Sequence, residues 1–330
     1  MKEAHSASLP VRIVSHFVLI LWSLTIIVSL YWLGINSFKN TDYIRRDSFS
    51  LPNQVTKAGE NGLGNYELAF KRYTPPGVAN DKKVEQGFYK VLAMYGRGLL
   101  ISGIVVVGVL VLGGFCAYGM ARYNFKGKQF YHYFIIASMM FPAFATIVPV
   151  FRMFNSANGV IDPFVVFLNQ TFGSNLKGLN ITTASSPTWV AMTTVILPQL
   201  AGNLAFSIVI MTAYIRGIPV ELEEAAYMEG CSIPRIFFRI ILPIAKPVFA
   251  TAGIFSFLWS FNDIFTQRFF LLNPKSYTIT RMMMDIATQR GVNLGLQFAS
   301  IIVCIVPVLI IYLIFQKSIV RGLTAGAVKG

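Results

Sequence analysis

Chemistry in a protein needs acids, bases, nucleophiles or ligands within reach of one another, and this sequence of 330 residues offers few of them. His5, His16 and His132 stand apart from each other, and Cys116, Cys231 and Cys304 share no paired spacing. Neither a zinc site nor a disulfide framework is indicated. There is no H-E-x-x-H and no G-x-S-x-G; the one Gly-Lys pair, Gly127-Lys128, is followed by Gln129 and lacks the upstream glycine of a phosphate-cradling loop. The chain is therefore not read as an enzyme, and no metal or cofactor is assigned to it. Such charge as there is gathers in an unexpected place. Glu221, Glu223, Glu224 and Glu229 crowd into the stretch VELEEAAYMEGCSIPRIFFRIILPIAKP, which lies between two apolar regions.

The elements that must carry this stretch are set by composition. Hydrophobic residues make up 55% of the chain, charged residues 13%, and the mean hydropathy is +0.59. Ordinary globular chains carry about 25% charge, so this is a membrane protein. The net charge of +14 does not point to nucleic acid, because the basic residues fall between the apolar runs rather than on one face with interleaved aromatics. A spanning helix needs about 20 apolar residues, and runs of that kind predict an all-α, multi-pass fold with six crossings near 13–36, 98–121, 129–151, 189–215, 241–262 and 296–316. The first is longer than a signal-peptide core and has no cleavage pattern after it, so it reads as a retained anchor. Pro142, Pro149, Pro198 and Pro307 fall inside these runs, where neighbouring helices re-satisfy the freed carbonyls. Gly113, Ala117 and Ala121 form a small-residue stripe suited to close helix packing. The segments 38–97 and 155–187 read as polar excursions, with 1–97 an anchor and outer loop and 98–330 the multi-pass core. Summed over all loops the basic residues show no inward excess, but the short loop 121–129, with Arg122, Lys126 and Lys128, places itself and both termini in the cytoplasm.

The centres of the six runs are free of ionisable residues, which a proton- or ion-coupled carrier normally places there. Energy for any transport then has to come from elsewhere, and this returns the argument to the acidic stretch. Pro219 can open a helix, Glu221, Glu223 and Glu224 suit its positive end, and Gly230 suits its stop. Ser232 and Pro234 open a second short helix through Phe237 and Phe238. Leu222, Ala225 and Ala226 share one face of the first, while Phe237 and Ile240 or Ile241 share one of the second. The pair is either a surface offered to another protein or a self-packed cytoplasmic loop.

The spacing Glu224-Ala225-Ala226, Gly230, Phe237, Ile240, Leu242-Pro243 and Pro247 resembles the EAA signature of ABC-importer permease subunits. The loop ARYNFKGK (121–128), the segment SFNDIF (260–265) and the tail VRGLTAGAVKG (320–330) resemble its maltose-type carbohydrate branch. The resemblance covers roughly 95–152 and 189–330. It implies a permease of the bacterial inner (cytoplasmic) membrane with six transmembrane helices of the type I importer architecture. Its implied partners are a second permease, two ATP-binding cassette ATPase subunits that use ATP and Mg, an extracytoplasmic solute-binding protein and membrane lipid. It also implies that Glu224, Ala225, Ala226, Gly230, Phe237, Leu242 and Pro243, in the loop 216–247, couple the chain to the ATPases, and that the cargo is a sugar or oligosaccharide. Glu229 departs from the family's usual Asp and Cys231 from its usual Ala, and the segments 38–97 and 155–187 are longer than usual. On the residues alone, two rival readings stay open: an ion-coupled carrier, and an assembly protein with no translocation path.

A path for neutral sugars should offer amides and aromatic faces without fixed charge. Gln199 and Asn203 share a face of the fourth span, and Trp259 and Asn262 end the fifth; these four are the expected path residues. Gln199 and Asn203 equally suit a second role, as hydrogen-bonded ties between helices. The stretch 264–292 is expected to fold back at the outer mouth, with Asn273 and Tyr277 against the binding protein, or to lie as an amphipathic segment in the interface.

Overall fold

In the computed structural model, which describes residues 9–52, 63–71, 88–155, 188–288 and 294–327, the described chain is helical with no strand. It divides into two units, 1–73 with 285–306 and 74–284 with 307–330.

The first unit is built on α1 (Leu9–Asn36), α2 (Thr41–Arg46), α3 (Gly64–Lys71) and the first part of the C-terminal helix Leu294–Ala327. α1 exposes every side chain from Leu9 to Tyr31, a surface suited to lipid. Its 28 residues extend about 42 Å at 1.5 Å per residue, more than the roughly 30 Å of a hydrocarbon core. The polar excursion expected at 38–97 instead holds α2 and α3. Asn40 caps α2 by accepting a hydrogen bond from the Tyr43 amide at 2.8 Å. The Asn65 side chain donates to the Ser37 and Lys39 carbonyls at 2.8 and 2.9 Å. Gly295 lies so close that a Cβ there would collide with the Lys39 carbonyl oxygen. Lys39 itself is buried, with its ammonium donating to the Asp47 carbonyl at 3.1 Å; burial lowers its pKa. Trp32 meets Phe298 edge-on at 5.1 Å.

The second unit is organised by three long helices. α4 (Phe88–Gly108), a π-helical turn (Val109–Gly113) and α5 (Gly114–Arg122) run as one rod over Tyr89–Arg122, beginning well before the expected residue 98. The rod packs against α8 (Thr188–Arg216) and α12 (Lys246–Asn262). Close approach explains two of its glycines: a Cβ at Gly108 would meet Leu200 at 2.8 Å, and one at Gly114 the Phe249 ring at 2.8 Å. Of the small-residue stripe, Gly113 and Ala117 are buried and Ala121 is half-buried.

The third expected crossing, 129–151, is broken into α6 (Lys128–Ser138) and α7 (Ala143–Asn155). The break falls at Pro142, which has no amide hydrogen to continue the ladder. The fifth is bent by 81° between Ile233–Ile244 and Lys246–Asn262, around Pro243 and Pro247. Among the described residues three helices are long and apolar enough to cross a membrane, or up to four if the bent pair is one span. The segment 155–187 lies almost wholly outside the described residues.

Candidate coupling site

α8 ends at Arg216, and the chain turns through Ile218 and Pro219 into α9 (Glu221–Met228). The three acidic residues of its first turn suit the positive end of a helix, but they point in different directions. Glu221 and Glu224 are exposed. Glu223 is drawn inward: one carboxylate oxygen accepts from Arg122 Nε at 2.5 Å and the other from the Tyr118 hydroxyl at 2.7 Å. Arg122 also donates through Nη2 to the Ile218 carbonyl at 2.8 Å. The side chains of Arg122 and Glu223 are only 8% and 11% exposed.

The end of α9 follows from local chemistry. The Cys231 amide donates to the Ala226 carbonyl and the Gly230 amide to the Tyr227 carbonyl, both at 3.0 Å, which is the Schellman arrangement. It requires a left-handed residue, and Gly230, at φ +79°, supplies it. Ile233–Ile236 (α10), a second π-helical turn (Phe237–Ile241) and Leu242–Ile244 (α11) follow. Phe237 stacks on Phe115 at a centroid distance of 4.8 Å and meets Tyr118 at 5.3 Å. With Ile241 and Ala226 it belongs to a buried cluster that includes Ala117, Ile215, Ile218 and Phe249.

The expected shared face of Leu222, Ala225 and Ala226 is thus divided. Ala226 packs inward at 7% exposure. Leu222, Glu224, Ala225, Tyr227 and Met228 are exposed, as are Gly230 and Pro243; Phe237 is buried and Leu242 half-buried. The outward surface of α9 is therefore acidic and apolar, on a helix whose one buried residue is Ala226.

The expected path residues also separate. Gln199 is buried and donates through Nε2 to Asp263 Oδ2 at 3.0 Å, while its Oε1 accepts from the Ser260 hydroxyl at 2.6 Å. Ser260 lies 3.2 Å from Ser102 on α4, and Asp263 caps α13 (Ile264–Phe270) by accepting from the Thr266 amide at 3.0 Å. Gln199 therefore ties four helices together. Asn203, also buried, donates to the Gln199 carbonyl at 2.7 Å. Trp259 remains 45% exposed, packed edge-on against Phe206 at 4.9 Å, and Asn262 is exposed.

At the expected outer mouth, Asn273 and Tyr277 are buried rather than presented. Asn273 Oδ1 accepts from the Lys275 amide at 2.9 Å, the Tyr277 carbonyl accepts from Arg97 Nε at 2.9 Å, and the Arg281 guanidinium lies over the Tyr277 ring at 4.6 Å. In this stretch Lys275 is the exposed side chain of the turn Pro274–Ser276. Sequence reasoning missed the inward role of Glu223 and the part played by Tyr118. Arg122 stood in a recognisable loop but served there only to orient the chain.

Residues 109–325 match the family described as "Binding-protein-dependent transport system inner membrane component". The chain is 29% identical over 320 residues to the diacetylchitobiose uptake system permease protein of Streptomyces coelicolor, covering 96% of this chain and 88% of that one. It is 28% identical over 246 residues to the arabinooligosaccharides transport system permease protein of Halalkalibacterium halodurans, covering 74% and 76% respectively. Its fold is similar to a chain of a bacterial ABC transporter involved in the import of the acidic polysaccharide alginate, with a TM-score of 0.59 and 18% identity over 95% of this chain and 99% of that chain. The matched residues take in the rod from its π-helical turn onward, α8, the whole Glu223-anchored loop and α12, and the chain belongs to this family of inner membrane transport components.

Proposed function

We propose that the chain is one of two permease subunits of an ATP-driven importer, forming half of the path for a sugar or oligosaccharide delivered by an extracytoplasmic solute-binding protein. The sugar class is supported by the relatives, several of which are permeases named for oligosaccharide uptake. In this reading α9 docks on one of two cytoplasmic ATPase subunits, which supply ATP and Mg chemistry that this chain lacks. The termini and the loop 121–129 lie on the same cytoplasmic side.

The observation that carries the reading is the outward surface of α9. Leu222, Glu224, Ala225, Tyr227 and Met228 are exposed on a helix whose other side is fixed by Ala226 and Glu223. An acidic, apolar surface on a short anchored helix suits a pocket on a partner better than open solvent. Phe237, Leu242 and Pro243 take part by holding the second arm of the loop, and Gly230 by setting the turn. Along the path, exposed Trp259 and Asn262 are the residues available to a passing sugar, with Gln199 and Asn203 in the supporting role. Contact with the binding protein is assigned to the turn Asn273–Tyr277 through Lys275, with Asn273 and Tyr277 shaping it from beneath.

Co-expression with a candidate partner permease and ATPase from the same genome, and purification through a tag on this chain, should retain both. Proteoliposomes holding that complex should take up oligosaccharide only with ATP and binding protein. A chain that takes up solute alone, or retains no ATPase, would overturn the reading.

A further inference from the structure

α9 is attached to the rest of its unit by little more than its two ends, the buried Ala226 and the carboxylate of Glu223. Ala226 and Glu223 are three residues apart and so lie on one face. A short helix fixed at one contact can pivot about it; fixed at two, it keeps one orientation. The second contact joins elements about a hundred positions apart in sequence. Tyr118 and Arg122 lie one turn apart at the end of the Tyr89–Arg122 rod, and both donate to Glu223. Through Ile218, Arg122 also grips the chain before Pro219, so a single guanidinium holds both sides of the turn into α9.

We propose that Tyr118 and Arg122 are positioning residues for coupling. They fix α9 through Glu223 so that displacement of its outer face moves the Tyr89–Arg122 rod rather than turning α9 about Ala226. The inference rests on the docking of α9 to an ATPase, and it concerns residues on the opposite side of the helix from that docking. Exposed ion pairs contribute little, but this pair is largely excluded from water and shares its carboxylate with a hydroxyl. It therefore holds a direction as well as a contact.

The test uses the complete complex in proteoliposomes with Glu223→Gln, Arg122→Glu, Tyr118→Phe, and the charge exchange Arg122→Glu with Glu223→Arg. Retained ATPase, basal hydrolysis and solute moved per ATP are measured for each. Glu223→Gln should keep the ATPase and its basal hydrolysis while solute per ATP falls about tenfold, within the usual range of coupling between sites; Arg122→Glu, which opposes two largely buried carboxylates, should also lower assembly. Tyr118→Phe should fall less, and the charge exchange should recover a large part of the loss. Wild-type solute per ATP in Glu223→Gln, or no recovery in an assembled charge exchange, would overturn the proposal while leaving ATPase docking intact. A wild-type chain that retains no ATPase would instead overturn the docking and the proposal together.

Discussion

Ala225 and Ala226 are neighbours in sequence with the same side chain, and the structure gives them opposite responses to a negative charge. Ala226 is 7% exposed, in a cluster with Ala117, Tyr118, Ile218, Ile236 and Phe237. The cation at this end of the rod, Arg122, is already committed to Glu223. Ala226→Asp therefore buries a charge without a free partner, at a cost of about 3–5 kcal/mol. At roughly 2–4 °C per kcal/mol, the melting temperature of the isolated subunit in detergent should fall by about 6–20 °C. Ala225 is exposed, and Ala225→Asp should change stability by no more than about 0.5 kcal/mol while lowering the amount of ATPase that co-purifies. Differential scanning fluorimetry on the isolated subunit and tag purification of the co-expressed complex measure the two effects on the same variants. If Ala225→Asp lowers the melting temperature as far as Ala226→Asp, or Ala226→Asp leaves it unchanged, the division of α9 into an inner and an outer face is wrong.

Gln199→Leu removes a buried amide and leaves the side chains of Ser260 and Asp263 short of a partner, so thermal stability should fall by about 1–3 kcal/mol; unchanged melting would refute the tie. Trp259→Ala should lower uptake in a fully assembled complex, whereas loss of assembly would show that the ring serves packing. Gly295→Ala places a methyl against the Lys39 carbonyl, and hydrogen exchange at 37–47 and 63–71 should speed up as the Asn65 clamp is displaced. The Asp47 carboxyl accepts from the Ser50 and Phe49 amides at 3.0 and 3.1 Å and is held below its ordinary pKa by them. Its folded pKa is depressed, so its stabilisation is present above the ordinary aspartate value of about 4 and is lost as pH falls through the lowered one. Protection of these two amides should therefore persist at the pH where a free aspartate is half protonated and be lost only as pH falls through the lowered value, a dependence that Asp47→Asn abolishes.

Features that depend on neighbouring residues were legible in the sequence. Pro219, the glutamates, Gly230 and Pro234 mark the bounds of α9 and α10 because helix ends are decided by caps and backbone freedom within a turn. The apolar runs marked the positions of the long helices for the same reason. Side-chain direction was not legible, because it is decided at a distance. Glu223 and Glu224 read alike until Tyr118 and Arg122 choose between them. Gln199 read equally as a path residue or a tie until Ser260 and Asp263 were seen beside it. Asn273 and Tyr277 looked exposed in a charged stretch because Arg97 and Arg281, which help cover Tyr277, come from elsewhere in the chain or a turn later. The break at Pro142 was hidden by the apolar residues on either side, since hydropathy does not register a missing amide hydrogen.

The 81° bend between Ile233–Ile244 and Lys246–Asn262 has the geometry of a bell crank. Its corner is Ala245, at 0% exposure in the buried cluster, so the fulcrum is gripped while both arms extend from it. The long arm has 17 residues, about 25 Å at 1.5 Å per residue. Turning the crank by roughly 10° about that fulcrum corresponds to about 4 Å at the Trp259 end by trigonometry on the same helical rise, so α8, bonded there through Gln199 and Ser260, would have to travel with it. The two arms meet at one buried residue, so a rotation of the short arm reaches the far end of α12 with no intervening loop in which to lose it.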